Sequence, residues 1–533
     1  MVVEVNRLSR HTPEEYQHLG QWSPLVQGSA PLEIALVFHI QNRNQLEQKT
    51  AHGVVFSSRE EFLRKHGLPT SLLARTKRWL MQSGLQVTEQ DDFSIWARGT
   101  FDTVARVFQI GFSETYHLGR RKFRPESEPT LPDWLQPYVL SLVGLDNIGE
   151  LHPKHRQPRR DTELANGNQG FFPADIQRCY QVPPGLDGSG VTIGILEFSN
   201  GFAESDLQAF WSSFNIPAPT VEFVSVDGTP NDGGVSAQDM ECTLDVEWAG
   251  AMAPGARLVV YEASAGSSDR SFGLSVLKNL RFVLNDSTRQ PSVVTISYGD
   301  GESRFAAAVM QAWDSTVLEM NAKGMTVFVA SGDEGAYGLH GIGLPIRHVD
   351  TPANVPQVVA VGGTHLTLDG QGQIANETGW TDTNDNGASG GGISQIFSVP
   401  AYQTSVALPL SGGTPPGRGV PDVALNADPD TGYAIMFQNA ATVVGGTSAA
   451  SPIWAAFTAL LNQQRASAGK SPIGGGLLPG LYQSGASNSG AFRDITVGNN
   501  SYFGVLGYSC TPGWDAVTGW GSPHVGQWIQ AWS

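Results

Sequence analysis

The sequence predicts a small α+β domain over residues 1–150, a polar bridge over 151–170, and a larger α/β domain with a mostly parallel sheet over 171–533. Three observations lead there. A chain of 533 residues is too long for one ordinary core. Residues 151–170 (LHPKHRQPRRDTELANGNQG) are polar, hold two prolines and clustered Arg and Lys, and lack apolar periodicity, which is the composition of a linker. Beyond residue 171, short runs apolar on both faces alternate with helical stretches, as strands of a helix-covered parallel sheet do.

The first 30 residues read as irregular. Leu32–Ile40 (LEIALVFHI) reads as a buried strand. Ser58–His66 reads as a helix, with Glu61 in capping-box position and Gly67 at its end. Thr70–Ser83 is amphipathic and stops at Gly84. Strands follow near Leu85–Glu89 and Phe93–Arg98, and Thr100 caps a helix over Phe101–Phe108. This strand–helix–strand–strand–helix order is a ferredoxin-like α+β pattern. The bridge, being exposed, is where nicking is easiest. In the larger part, Val191–Phe198, Ala256–Tyr261, Val293–Ser297, Met325–Ala330 and Val358–Val361 read as strands.

The formal charge of −17 is unevenly placed. Residues 1–166 balance at +1, with 20 basic and 19 acidic side chains, so the remainder carries −18. An acidic domain poor in Lys and Arg argues against nucleic-acid binding. It also builds up little positive self-repulsion when its carboxyls protonate. No run approaches the roughly 18 apolar residues of a membrane helix. The N-terminus shows no apolar segment of a secretory signal, so either export takes another route, or the numbering starts after processing, or the protein stays inside. Cys179, Cys242 and Cys510 match no zinc spacing and read as buried thiols.

Three segments carry chemistry. In Gly445-Gly446-Thr447-Ser448-Ala449-Ala450-Ser451-Pro452 a glycine turn leads into an apolar helix with a serine at its start. That position exposes a hydroxyl to backbone N–H donors and to the positive end of the helix dipole. Glu241 and Asp245 stand four residues apart, so on a helix both carboxylates share one face. Two such acids repel unless they share a proton and titrate as a pair. Ser331-Gly332-Asp333-Glu334-Gly335 follows an apolar strand, where an Asp donates a hydrogen bond only while protonated.

Together these segments resemble the sedolisin family of serine-carboxyl peptidases, and its kumamolisin subgroup in particular. The serine segment is similar to the family's G-T-S-x-x-x-P motif, Glu241–Asp245 to its E-x-x-x-D element, and Asp333 to its oxyanion-hole acid. None of the 12 histidines lies in the H-G-T-H segment of subtilisins. The resemblance implies a subtilisin-like catalytic domain over 171–533 preceded by an activation prodomain. It implies Ser448 as nucleophile, Glu241 as general base tuned by Asp245, and Asp333 as oxyanion stabiliser. Carboxylates still accept protons where a His is already protonated, so activity is expected on the acid side of neutral.

Further roles follow from the same resemblance. Glu197 extends the hydrogen-bond chain, with Tyr298 where the subgroup carries Trp. Ser297, Gly299, Ser389, Gly390 and Gly391 are expected along an extended polypeptide substrate, and Asp350 in a pocket for a basic side chain. One structural Ca2+ is expected on Asp494 and Asp515 with the carbonyls of Ile495, Gly513 and Thr511. The prodomain is expected as intramolecular chaperone and inhibitor, threading 151–170 through the cleft. The chain is expected to be a monomer working outside the cell, away from nucleic acid and membranes. A tripeptidyl exopeptidase and a non-catalytic binding protein are the competing readings.

Overall fold

The computed structural model describes every residue except 1–20, 27, 160–168, 269, 342, 344, 383–385, 410–416 and 488–489. The expectations for the N-terminal residues 1–20 and for 160–168 of the bridge therefore lie outside the described residues.

The N-terminal unit is built on β1 (Pro31–Phe38), α1 (Arg43–Ala51), α2 (Arg59–His66), α3 (Thr70–Gln82), β2 (Gln86–Gln90), β3 (Ser94–Thr100) and α4 (Phe101–Phe108). A hairpin of β4 (Phe112–His117) and β5 (Arg120–Pro125) follows, then β6 (Val139–Val143). The sheet order is β2-β3-β1-β6, all antiparallel. Ser58 and Thr100 cap α2 and α4 as the sequence predicts, accepting from the N–H of Glu61 and Thr103. Helix α1 and strands β4–β6 are not predicted; α1 has almost no apolar face to announce it, only Leu46 and Thr50 being buried.

Strand β1 is buried on both sides. Leu32, Ile34, Leu36 and Phe38 face the unit's own core, while Ala35 and Val37 pack with Trp96 and Val143 against the larger domain. Their partners are α7 (Phe272–Asn285) and α8 (Ala307–Ala322), named here with α5 (Glu204–Ser213) and α6 (Met240–Met252) before them. Ion pairs rim this contact: Arg281 with Asp91 at 2.6 Å, Lys278 with Glu89 at 2.8 Å, and Arg43 with Asp314.

The catalytic-size unit has a subtilisin-like α/β layering. Its strands, after a short β7 (His152–Pro153), are β8 (Thr192–Phe198), β9 (Thr220–Ser225), β10 (Arg257–Ala263), β11 (Val293–Ile296), β12 (Tyr298–Gly301), β13 (Thr326–Ala330), β14 (Asp350–Thr351), β15 (Val359–Leu368), β16 (Ile374–Gly379) and β17 (Val423–Asn426). The main sheet runs β9-β10-β8-β11-β13-β15-β16, with β17 also pairing β15. Every neighbour is parallel except β16. Helices α6 and α9 (Thr447–Ser467) pack on one face and α7 and α8 on the other, so the strands are apolar on both sides. The three cysteines are buried thiols.

Candidate active site

The carboxyl ends of β8, β11 and β13 open onto one cleft, and the start of α9 and one face of α6 complete it. Gly446 turns the chain into α9 at a φ of 107°, a conformation that favours glycine. A Cβ there would lie 2.2 Å from the Lys154 carbonyl oxygen and 2.6 Å from Asp333 Oδ2. The bare backbone thus lets the serine turn, the bridge segment and Asp333 meet.

Residues 151–159 do not behave as an exposed linker. They run through the cleft, as the resemblance implies, with Leu151 and Lys154 buried and His152, Pro153, His155 and Arg156 half-buried, which corrects the expectation of an exposed linker for that part; Gln157 and Arg159 are exposed. Tyr298 and Gly299 of β12 pair antiparallel with Pro153 and His152 of β7. The Lys154 N–H donates to the Ser297 carbonyl at 3.0 Å, and the Ser448 N–H donates to the Lys154 carbonyl at 2.9 Å. Beyond it, Arg156 exchanges two backbone hydrogen bonds with Gly445, at 2.8 and 2.9 Å.

Asp333 sits beside that carbonyl. Its Oδ1 accepts from the Thr447 N–H at 2.8 Å and hydroxyl at 2.9 Å, while Oδ2 has no hydrogen-bond partner and lies 3.8 Å from Arg156 Nε. Burial, reinforced by Glu334 and opposed by Arg156, raises its pKa to about 7. A carboxyl oxygen without a partner can donate a hydrogen bond only while it carries the proton.

Helix α6 is buried along its whole length, so Glu241 and Asp245 are fully enclosed. Burial, then the charges of Glu241 and Glu197, hold Asp245 well above the usual carboxylate range. Its Oδ2 accepts from the Ser297 hydroxyl at 2.7 Å. Glu241 Oε2 is engaged by His155 Nδ1, and its Oε1 has no hydrogen-bond partner. Ser448 Oγ meanwhile donates to the Ser297 carbonyl at 3.2 Å. Glu197 accepts from the Tyr298 hydroxyl at 3.0 Å and from Asn200 at 3.2 Å. Burial and Glu241 raise its pKa to about 8. Glu262, behind it, is raised to about 9 by burial and Glu197. Asn200 and Glu262 carry no recognisable motif and are found only once the strands are in place.

Lys154 is fully buried and ends between two acids, 2.9 Å from Asp350 Oδ2 and 2.8 Å from Glu334 Oε2. Glu334 Oε1 also takes Arg156 at 3.0 Å. One ammonium serves two carboxylates, and the proton is left on Asp350. Burial raises Asp350 to about 8, while Glu334, despite burial, is held well below the usual range by Lys154, His340 and Arg156. Glu334 is a site residue the sequence reading missed; its only sequence signal is its place next to Asp333.

Ser389, Gly390 and Gly391 take another place than predicted. Among the described residues none of the hydrogen bonds holding 152–156 comes from them. They lie behind the Asp333 turn instead: Gly390 donates to the Gly332 carbonyl at 2.7 Å, and the Ser389 hydroxyl donates to the Val517 carbonyl. Glycine is required there because a Cβ on residue 390 would lie 2.1 Å from the Ser331 carbonyl oxygen.

Asp494 and Asp515 approach one loop, whose Val517 carbonyl accepts from the Ser389 hydroxyl. Asp515 accepts from the N–H groups of Thr511, Val517 and Thr518, and Asp494 from that of Gly513 at 2.9 Å. Burial raises Asp515 to about 6, and no basic side chain pairs with it among the described residues. Two carboxylates on a glycine-bearing loop, the buried one lacking a cation, suit a hard cation with oxygen ligands.

The chain was then compared with known proteins. Residues 23–148 match the pro-kumamolisin activation domain, and residues 228–473 match the Subtilase family. The chain is 36% identical over 526 residues to kumamolisin of Bacillus sp. (strain MN-32), covering 95% of this chain and 92% of that protein. It is 29% identical to tripeptidyl-peptidase 1 of Mus musculus, covering 86% and 82% of the two. Among solved structures, Pseudomonas sedolisin, a serine-carboxyl proteinase complexed with pseudo-iodotyrostatin, superposes with a TM-score of 0.59 at 29% identity, over 68% of this chain and 98% of that one.

Proposed function

The chain belongs to the kumamolisin family of serine-carboxyl peptidases, made with an activation prodomain, and from that premise we propose that it is an acid-active endopeptidase whose prodomain inhibits it by lying in the cleft as an uncut substrate. The observation that carries this reading is the Ser448 N–H on the Lys154 carbonyl, with the unpartnered Asp333 oxygen beside it.

In this reading Ser448 Oγ attacks a peptide carbonyl and passes its proton to Glu241, with Asp245 holding the second proton of the pair. Asp333, protonated, and the Ser448 N–H stabilise the tetrahedral oxyanion. Glu241 returns the proton to the leaving amine, and water hydrolyses the ester. Glu197 and Tyr298 fix the charge around Glu241. Asp350 selects a basic side chain before the cut. The segment's run from Leu151 through to Arg159 supports cleavage within a chain over removal of N-terminal tripeptides, since covalently continuous peptide fits on both sides of Ser448.

Asp494 and Asp515, with the carbonyls of Ile495, Thr511 and Gly513, would hold a Ca2+ ion, which would tie the loop to the domain and take no part in the reaction. The chemistry suits an acidic compartment outside the cytoplasm, where the enzyme would act as a monomer; no described helix is long and apolar enough to cross a membrane.

The test is to bring purified precursor, and a Ser448→Ala variant, from neutrality to about pH 4 and follow both on a gel. The wild type should lose its prodomain and then digest denatured protein, while the variant stays whole. An unchanged wild type, or a variant that processes equally, would remove the reading.

A further inference from the structure

Resting on the reading above, we propose that the chain first cuts itself at Lys154–His155, and that Glu334 reads this bond by pairing with cations on both sides of it. Four contacts set the register. The residue whose carbonyl meets the Ser448 N–H is Lys154, and the same residue's N–H is fixed by the Ser297 carbonyl at 3.0 Å. The chain before it pairs with β12, and the chain after it pairs with Gly445. No one-residue shift keeps these contacts, because each would turn the side chains to the opposite face.

Side chains agree with the backbone. Lys154 points into an enclosed pocket and gives its ammonium to Asp350 and Glu334. Two residues on, Arg156 returns to Glu334 through the other carboxylate oxygen. One carboxylate therefore spans the bond to be cut, with Oε2 on the residue before it and Oε1 on the second residue after it. Asp350 pairs with Lys154, whereas Arg156 pairs with Glu334, so the reading of both sides belongs to Glu334.

The bond is bound and yet held. His155, on the leaving side, occupies Glu241 Oε2, and Ser448 Oγ donates to Ser297. Cutting requires His155 to release Glu241. The Ser448 Oγ–C bond to Lys154 then forms, the Lys154 C–N bond breaks, the serine proton moves through Glu241 to the His155 amine, and water frees the Lys154 carboxylate. The mature enzyme inherits the clamp and should favour peptides with one cation before the cut and another two residues after it.

The test uses the full chain and its Glu334→Gln and Ser448→Ala variants, acidified to about pH 4 and quenched at intervals, with fragments identified by intact mass and N-terminal sequencing. The expected first new N-terminus is His155 in the wild type, none appears in Ser448→Ala, and Glu334→Gln makes the same cut about tenfold more slowly. Mature enzyme is then given peptides containing Pro-Lys-His-Arg and versions with Leu for Lys or for Arg. For the wild type each replacement should raise KM about tenfold; for Glu334→Gln the Arg replacement should cost nothing further, while the Lys replacement still costs through Asp350. A first cut at another bond, with Lys154–His155 intact, would overturn the assignment and leave the peptidase reading standing. Equal sensitivity of wild type and Glu334→Gln to loss of the Arg would overturn the clamp. Processing by Ser448→Ala would instead remove the reading beneath both.

Discussion

Two clusters of buried acids face each other across Ser448, and they are neutralised in opposite ways. Glu197, Asp245 and Glu262 have no basic side chain in contact among the described residues, and they keep their protons to high pH. Glu334 instead keeps its charge against Lys154 and Arg156, and Asp350 beside it shares Lys154 while keeping a proton to about pH 8. The first cluster is complete in the catalytic domain itself. The second is complete only while the prodomain segment, or a substrate like it, lies in the cleft. Proton-neutralised acids serve as machinery that stays, and cation-neutralised acids serve as a recognition site that empties and refills.

The largest expected effect lies on Glu241, which adjoins the first cluster and is engaged by His155 of the bridge. Glu241→Gln removes the base and should lower kcat of the mature enzyme by about 10²–10⁴-fold, with KM for a lysine peptide nearly unchanged. A loss confined to KM would mean that Glu241 binds rather than catalyses. On the second cluster, Lys154→Met in the Ser448→Ala background takes a cation from the charged Glu334. Breaking such a buried pair should weaken prodomain docking by about 3 kcal/mol, read as a lower Tm of the uncut precursor. An unchanged Tm would make the pocket indifferent to charge.

The third prediction separates the clusters by pH. Glu197, Glu262 and Asp333 have folded pKa values of about 8, 9 and 7. Each therefore holds a proton that the unfolded chain releases above about pH 4.5. Stability should be highest on the acid side and decline as pH rises toward 9, and Glu262→Gln should flatten that decline. A Tm that climbs steadily from pH 5 to about 8 would contradict the proton-neutralised description. A smaller effect is expected for Tyr298→Phe, which removes one donor from Glu197 and should cost about 1 kcal/mol, with a shift of the pH profile. Last, chelation by EDTA should lower the Tm of the mature enzyme by a few degrees; no shift would argue against an ion at Asp494 and Asp515.

Much of this was legible in sequence, for identifiable reasons. Ser448, Asp333 and the Glu241–Asp245 pair sit at strand ends, a helix start and an i, i+4 spacing, all local features. Five of the eight strands of the main sheet, β8, β10, β11, β13 and β15, are short apolar runs legible in the sequence, although β15 runs on to Leu368; β9, β16 and β17 are not predicted. Glu334 was not legible, because its role depends on where Lys154 and Arg156 arrive from 178 to 180 residues away. Ser389, Gly390 and Gly391 misled for a related reason: a glycine run signals close backbone approach, but not which backbone, and here it is the Asp333 turn. The start of the bridge looked like an exposed linker because Lys154, His155 and Arg156 are satisfied by acids of the cleft rather than by water. Strands β4 (FSETYH) and β5 (RRKFRP) are polar and charge-rich and give no strand signal, whereas β6 (VLSLV) is a short apolar run that the reading passed over.

The most direct test of the account is the pH dependence of kcat/KM for the mature enzyme on a lysine peptide. If carboxyls do the work of an imidazole, activity is substantial near pH 4 and falls as Asp333 loses its proton, above about pH 7. Departure of Lys154 and Arg156, which hold that proton less tightly bound, moves the fall upward, not downward. Activity absent below about pH 6 and full at about pH 8 would contradict the account and point to a different base.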